Sequence, residues 1–253
     1  MKTRVHSTVL LVVLLLSSVV VTAQRSTWNW YFGNQAGLTF RSGTAEVLRD
    51  GAMRTSEGSA SVSDDVQGDL LFYTNGRTVW NRLHEVMADG SDLAGDESTS
   101  QTLIVPNPGN PFLYYIFNTA PITSANIGAR CFCLTMNVVD LRRENGYGQV
   151  ISKNQVLFND VEITEHITAT ADCQGTGTWV VVRSRSTRDF YAFRVTRDRV
   201  EPVPVKSDAS NPQLVVRDAG QMHISPDGRH LIITSVAGNT QLYDLRGWQH
   251  PAV

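Results

Sequence analysis

The six histidines are the residues of this chain best suited to bind a metal ion or to act as general bases near neutral pH. His84 is followed by Glu85, but Ala88 occupies the position at which a zinc-binding helix needs its second histidine. Four further histidines are widely separated in the sequence: His166, His223, His230 and His250. The spacing predicts surface or sheet-edge histidines and no metal site. If the folded protein has a central channel, two of these histidines could meet there.

Acidic residues could supply either calcium ligands or the carboxylate pair of a glycoside hydrolase. The acidic segment 89–97 lacks the spacing of an EF-hand loop, because Ser91 and Leu93 stand where that loop needs acids or amides. The candidate carboxylates for hydrolysis are Asp64, Asp65, Asp160, Glu162 and Glu165. Nothing in the sequence sets the distance between any two of them. We therefore expect segment 89–97 to be a solvated loop, and we expect the five candidate carboxylates to lie at turns and strand edges.

Two glycine-containing segments resemble catalytic or phosphate-binding loops only superficially. Residues 58–61 carry serines without the exposed elbow that a nucleophilic serine needs. Residues 175–177 are followed by a predicted strand, whereas a phosphate loop must lead into a helix. The sequence therefore predicts no catalytic residue, no cofactor site and no metal site.

One basic run could bind an acidic polysaccharide or a lipopolysaccharide phosphate through forked hydrogen bonds. It consists of Arg183, Arg185, Arg188, Arg194, Arg197 and Arg199. If strands continue through it, Arg183 and Arg185 share one face, and Arg197 and Arg199 share another. The alternative is that these charges protect an edge strand from pairing with another sheet. The formal net charge of −2 gives no general reason to expect nucleic acid as a partner.

The N-terminus predicts export. Lys2 and Arg4 precede the apolar segment 9–21, and Ala23 closes a stretch of small residues suited to cleavage by signal peptidase. We predict a signal peptide at residues 1–23 and a mature domain at 24–253, with no membrane span after cleavage. The expected location is the periplasm, the outer-membrane surface or the extracellular space.

The three cysteines, Cys131, Cys133 and Cys173, would then lie in an oxidising compartment. An odd number allows at most one internal disulfide and leaves one thiol. Cys131 and Cys133 would share a face of a strand. A disulfide from one of them to Cys173 is one possibility, and the sequence leaves the pairing open.

Four similar units predict the fold. Each begins with a turn that contains glycine and continues into a strand that is apolar on both faces; these strands lie at residues 70–73, 113–117, 179–182 and 231–234. A second strand follows in each unit, at 79–81, 137–141, 190–195 and 241–245. The dipeptide Asn75-Gly76 predicts a two-residue hairpin between the first such pair.

A strand that is apolar on both faces must be covered on both faces, and the stacked blades of a β-propeller provide this. The units recur at intervals compatible with blades of roughly 40–50 residues once insertions are allowed, with one insertion expected at 120–129. The sequence therefore predicts an all-β protein with about four antiparallel, four-stranded blades. The segment 28–40 predicts an additional hairpin. We expect the chain to be the N-terminal part of a larger propeller, the alternative being a closed ring of four blades.

The sequence resembles the N-terminal propeller-like domain of large secreted surface proteins of gliding Bacteroidetes, which often carry PKD modules and a sorting domain for type IX secretion. The matching stretches are residues 30–34, 36–38, 40, 57–58, 60–64, 70–76, 79–82, 84, 87, 104–106, 108–110, 114–117, 153–154 and 225–228. The resemblance implies a WD40-like propeller at the cell surface. The family pattern carries histidines where this chain has Asp172, Cys173 and Arg183, so any ligand role of those histidines does not transfer.

These observations predict a non-catalytic binding or scaffold module of the cell envelope. A protein or glycan ligand would bind at the loops or at the channel face. The alternative is an extracellular hydrolase that acts on glycan or peptide, with acids or histidines meeting at the mouth of the channel.

Overall fold

The structure is a computed structural model that describes residues 25–99, 101–119, 121–122, 131–208, 219–236 and 238–245. These residues are all-β, as predicted, apart from two short 3-10 helices at Arg25–Thr27 and Glu144–Gly146. None of their helices is long and apolar enough to cross a membrane. The predicted signal peptide at 1–23 and most of the predicted insertion at 120–129 lie outside the described residues.

The described strands form five antiparallel sheets of three or four strands, which follow one another along the chain. Sheet 1 contains β1 (Asn29–Phe32), β2 (Ala36–Thr39) and β3 (Glu46–Leu48). Sheet 2 contains β4 (Ala60–Ser63), β5 (Leu70–Thr74) and β6 (Val79–Asn81). Sheet 3 contains β7 (Thr102–Asn107), β8 (Asn110–Asn118), β11 (Leu134–Asp140) and β12 (Gln149–Phe158), interrupted by a small pair, β9 (Pro121–Ile122) and β10 (Cys131–Phe132).

The last two sheets repeat the same up-and-down order. Sheet 4 contains β13 (Ile163–Ala171), β14 (Thr178–Ser184), β15 (Phe190–Val195) and β16 (Val205–Ser207). Sheet 5 contains β17 (Met222–Ile224), β18 (His230–Thr234) and β19 (Thr240–Asp244). All eight predicted strands are confirmed, as the second and third strands of sheets 2 to 5. The predicted turns connect the first strand of each of these sheets to the second.

Four apolar cores lie between successive sheets and hold the five sheets together. The residues that form them are Tyr31, Met53, Tyr73 and Trp80 between sheets 1 and 2; Val62, Phe72, Val79 and Ile116 between sheets 2 and 3; Val105, Phe117, Val180 and Phe193 between sheets 3 and 4; and Val181, Met222, Leu231 and Ile233 between sheets 4 and 5. Neighbouring residues of one strand serve different cores, because side chains alternate between the two faces of a sheet. Val180 and Val182 of β14 face sheet 3, whereas Val181 faces sheet 5.

Two local predictions are wrong. The turn at Asn75 has four residues rather than two, because Thr74 pairs with Val79 and the Asn75 side chain accepts hydrogen bonds from the backbone of Arg77 and Thr78. Strand β18 is covered on one face only, since Ile232 is 39% exposed while Ile233 is fully buried. Sheet 5 has no described sheet on its outer side, which explains why this strand differs from β5, β8 and β14.

The number of sheets also differs from the prediction. The predicted N-terminal hairpin at 28–40 is confirmed as β1 and β2, but β3 extends it into a separate sheet. The described residues thus contain five consecutive sheets instead of four units, and only sheets 3 and 4 have four strands.

The cysteines resolve one open alternative. Cys133 is buried and forms a disulfide bond, whereas Cys173 is a free, exposed thiol. The possibility that Cys173 takes part in the disulfide is therefore wrong.

Candidate functional site

The first strands of the five sheets lie next to one another. Strand β1 contacts β4, β4 contacts β7, β7 contacts β13, and β13 contacts β17. The later strands of each sheet extend away from this row. Residues from distant parts of the sequence therefore meet along the first strands, and the first strands are where a composite site could form.

Gln101, which immediately precedes β7, joins three sheets through its side-chain amide. Its Oε1 accepts hydrogen bonds from the backbone N–H of Ile167 at 3.2 Å and of Met222 at 2.9 Å. Its Nε2 donates to the carbonyl oxygen of Met222 at 3.3 Å. Both halves of the amide are thus used to hold sheets 3, 4 and 5 in register at their first strands.

Other first-strand side chains make similar bonds between sheets. The Ser61 hydroxyl accepts from the backbone N–H of Tyr31 at 2.8 Å, and Asn29 Nδ2 donates to the Ser63 hydroxyl at 2.9 Å. His166 is completely buried, and its Nε2 lies 3.1 Å from the carbonyl oxygen of Thr234. Because a carbonyl oxygen can only accept, Nε2 of His166 carries a proton and donates it in this bond. The prediction of a surface or sheet-edge position is therefore wrong for His166, which is a buried structural residue.

A cleft of about 370 Å³ opens along the row of first strands. It is lined by segments at the start of four successive sheets: Glu57, Gly58, Ser59, Gln101, Thr102, Leu103, Ile167, Thr168, Gln221 and His223. The side chains of Glu57, Gln221 and His223 are exposed, so a carboxylate, an amide and an imidazole stand at the cleft. Gly58 permits the close approach of two segments here, since a Cβ on it would lie 2.3 Å from the carbonyl oxygen of Thr99.

The cleft offers hydrogen-bonding groups but no assembled nucleophile. Within the described residues, neither Ser59 nor His223 makes a side-chain hydrogen bond, so they do not form a serine–base pair. The Thr102 hydroxyl lies 2.8 Å from Asn118 Oδ1 and donates to that oxygen rather than to a base. Glu57 is the single carboxylate among the residues that line the cleft.

The acids considered for hydrolysis lie outside the cleft lining. Asp64 closes the turn between β4 and β5 by accepting hydrogen bonds from the backbone of Val66, Gln67 and Asp69. Partial burial raises the pKa of Asp64, but these backbone donors outweigh it and hold the pKa below its usual range. Glu162 lies 3.8 Å from Arg185. Asp64 is therefore a turn acid, as predicted, and Glu162 belongs to a surface ion pair.

The acidic segment 89–97 is held by side chains of strand β12. Asn154 Oδ1 accepts from the backbone N–H of Ala94 at 2.6 Å, and its Nδ2 donates to the carbonyl oxygen of Asp92 at 3.0 Å. Asp89 accepts from the Gln149 amide at 2.7 Å. Among the residues that the structure describes, no group of three or more histidines, cysteines or acids is placed to bind a metal ion.

The basic run does not form one continuous patch. Arg183 is 1% exposed, and Arg185 lies in the turn beyond the end of β14, so the two do not share a strand face. Arg194 is on β15, an interior strand of sheet 4, where it forms a 2.8 Å ion pair with the buried Asp172. Edge-strand protection is therefore also wrong for these residues. Asp172 and Arg183 stand where the pattern that this sequence resembles has histidines, and both are buried, charged residues in this structure.

Of the residues that line the cleft, only His223 and the segment 58–61 stand out in the sequence as candidates for chemistry. Gln101 and Gln221 are ordinary polar residues immediately before β7 and β17, Thr168 lies within β13, and only the packing of separate sheets brings them together. Their one common feature in the sequence is their position shortly before or within the strand that precedes a glycine-containing turn. No protein-family model matches this chain, and no curated protein matches it.

Proposed function

We propose that this chain is an exported, non-catalytic binding module of the cell envelope, built as an arc of a β-propeller that binds its ligand in the first-strand cleft. The observation that carries the proposal is that four successive sheets line one cleft, which carries the exposed side chains of Glu57, Gln221 and His223 without a paired nucleophile and base. Export rests on the predicted signal peptide at residues 1–23.

The order of the sheets supports the propeller. In a propeller, each blade is an up-and-down antiparallel sheet packed between two neighbours, with its first strand nearest the central axis. The five sheets follow one another along the chain, a separate apolar core lies between each successive pair, and their first strands are adjacent. A two-sheet sandwich would give a single core, and the outer face of each sheet would be exposed to solvent.

The two end sheets support the proposal of a larger ring. Sheet 1 exposes Trp30 (49%) and Val47 (66%) on its outer face, and sheet 5 exposes Ile232 (39%) and Leu242 (69%). The equivalent faces of sheets 2 to 4 are covered by neighbouring sheets. We take the occupant of each open face to be a further sheet of the same kind, because each internal interface repeats that arrangement.

The chemistry of the cleft favours binding over hydrolysis. Glycoside hydrolysis uses two carboxyl groups about 5–9 Å apart. The described cleft lining supplies one carboxylate, together with amide, hydroxyl and imidazole groups that suit the hydroxyls of a sugar. We therefore propose a glycan as the ligand, with a protein partner as the alternative.

A glycan array probed with purified residues 24–253 tests this proposal. We expect selective binding of some glycans, and removal of one hydrogen-bonding group at the cleft in Glu57→Gln or Gln221→Ala should weaken it about three- to tenfold. The matched controls Glu46→Gln and Gln155→Ala change exposed residues on β3 and β12, outside the cleft, and should bind like the wild type.

Two results would overturn the proposal. Absence of binding to every glycan, or equal binding by the cleft variants and their controls, would remove the cleft as a glycan site. Cleavage of a bound glycan, detected by mass spectrometry after prolonged incubation, would replace the binding module with the hydrolase.

A further inference from the structure

A second site is indicated by two arginines at the junction of sheets 4 and 5, away from the residues that line the cleft. Arg183 is the largest fully buried side chain of the described residues, at 1% exposure. Arg188 lies in the turn between β14 and β15, and its Nη1 is buried without a hydrogen-bond partner. Neither arginine forms an ion pair in the described part of the chain.

The contacts of Arg183 leave its charge uncompensated. Its Nε donates to the carbonyl oxygen of Arg188 at 3.2 Å, and its Nη2 donates to the Tyr243 hydroxyl at 3.5 Å. Its guanidinium lies 5.7 Å from the ring centre of Phe190, a favourable but weak contact for a cation. All of these partners are neutral. The neighbouring acid, Asp189, pairs with Lys206 at 2.9 Å.

An arginine stays protonated even when buried, so it cannot relieve this situation by losing its proton. Burial lowers the pKa of Arg183, Tyr243 raises it by a smaller amount, and the charge of Arg188 lowers it again, as expected for two neighbouring cations. A buried charge without a counter-charge is strongly unfavourable, and buried charges in proteins are normally paired with a group of opposite charge.

The backbone at Arg188 adds a second observation. Its φ of 67° lies in the left-handed region, which is unfavourable for a residue with a long side chain. Such strain persists where the surrounding structure fixes it and is concentrated at binding sites. In this conformation the Arg188 carbonyl oxygen accepts the hydrogen bond from Arg183. The Arg188 side chain is turned so that its Nη1 is buried near a second cation.

We propose that Arg183 and Arg188, with the Tyr243 hydroxyl, bind a compact oxyanion between sheets 4 and 5. A sulfate, a phosphate or a sugar carboxylate matches the fork of a guanidinium through paired hydrogen bonds. The anion would supply the missing negative charge to Arg183 and a partner to Arg188 Nη1. Because the anion site shares no lining residue with the cleft, its existence does not depend on whether the cleft binds a glycan.

Thermal unfolding in sodium sulfate and in sodium chloride of equal ionic strength tests the site. Sulfate also stabilises proteins by exclusion from their surface, so the informative quantity is the difference between variants. We expect the excess stabilisation by sulfate to be lost in Arg188→Gln and retained in Arg197→Gln, whose side chain is 76% exposed. In chloride alone, Arg188→Gln should be as stable as the wild type or more stable, because it removes the repulsion.

A purely structural role for Arg188 predicts the opposite pattern, with Arg188→Gln destabilised to the same extent in both salts. That result, or an equal sulfate effect in the wild type and Arg188→Gln, would overturn the site.

A second experiment identifies the source of the oxyanion by titrating glucuronate, with glucose as the uncharged control. Stabilisation by glucuronate that depends on Arg188 points to an acidic sugar, and stabilisation by sulfate alone points to a free inorganic anion.

Discussion

Asp172 allows a quantitative test of how sheet 4 is held together. Its Oδ2 accepts from Arg194 Nη2 at 2.8 Å, and its Oδ1 accepts from the backbone N–H of Thr176 at 2.8 Å. The carboxylate therefore fixes the turn after β13 and joins it to strand β15. Asp172→Asn removes the charge while keeping the size of the side chain.

The magnitude follows from the pKa of Asp172. Burial raises this pKa, but the Arg194 guanidinium and the hydrogen bonds from Thr176 and Gly177 outweigh burial and lower it from 3.8 to about 2. At about 1.4 kcal/mol per pKa unit, this preference for the charged form corresponds to about 2 kcal/mol of stability near pH 7. A depressed carboxylate stabilises the fold above its unfolded pKa, and that contribution is lost as the pH falls from about 4 towards 2.

Urea denaturation at pH 7 should therefore show Asp172→Asn less stable than the wild type by about 2 kcal/mol. The difference should shrink as the pH falls from about 4 towards 2, because the wild-type carboxyl then becomes protonated too. The control Asp198→Asn, an acid that is 84% exposed and 4.0 Å from Arg197, should change stability by less than about 0.5 kcal/mol. Equal effects of the two substitutions, or a difference that does not vary with pH, would refute the reasoning.

Three further predictions concern the thiols and the end sheets. A maleimide should label Cys173 in the native protein, whereas Cys133 should react only after reduction and unfolding; mass spectrometry that finds Cys173 blocked would contradict the disulfide assignment. Ile233→Ala should cost about 2–5 kcal/mol in denaturant titrations and Ile232→Ala less than about 1, and similar costs would mean that β18 is covered on both faces. Trp30→Ser should reduce binding of a hydrophobic dye to the isolated domain, since Trp30 is 49% exposed; unchanged dye binding would mean that its face is covered.

The second strands of the sheets could be predicted from the sequence because each combines a glycine turn with a continuous apolar run. The Val180–Val182 run is the clearest case, since its residues serve two different cores. The first strands were harder to predict. Strand β13 contains Thr164 and His166, whose polar side chains suggest a surface until their bonds to each other and to Thr234 are seen.

The cleft could not be predicted, because its residues gain their role only from contacts between sheets. Gln101 and Met222 are 121 residues apart in the sequence, with all of sheets 3 and 4 between them, and no local pattern indicates that the Gln101 amide bonds the Met222 backbone. The arginine run was noticed for its charge, but burial separates its members. Which arginine lacks a counter-charge depends on the positions of Asp172, Glu162 and Lys206 in the fold.

Hydrogen exchange of the Ile167 and Met222 amides, resolved by NMR, tests the central claim that the first strands of successive sheets meet at one cleft. In the wild type both amides donate to Gln101 Oε1 and should exchange slowly. In Gln101→Ala they should exchange at least about tenfold faster, the factor expected for loss of one hydrogen bond, while the amide of Val181 in the interior of sheet 4 keeps its protection. Fast exchange of both amides in the wild type, or rates unaffected by the substitution, would contradict the adjacency of sheets 3, 4 and 5.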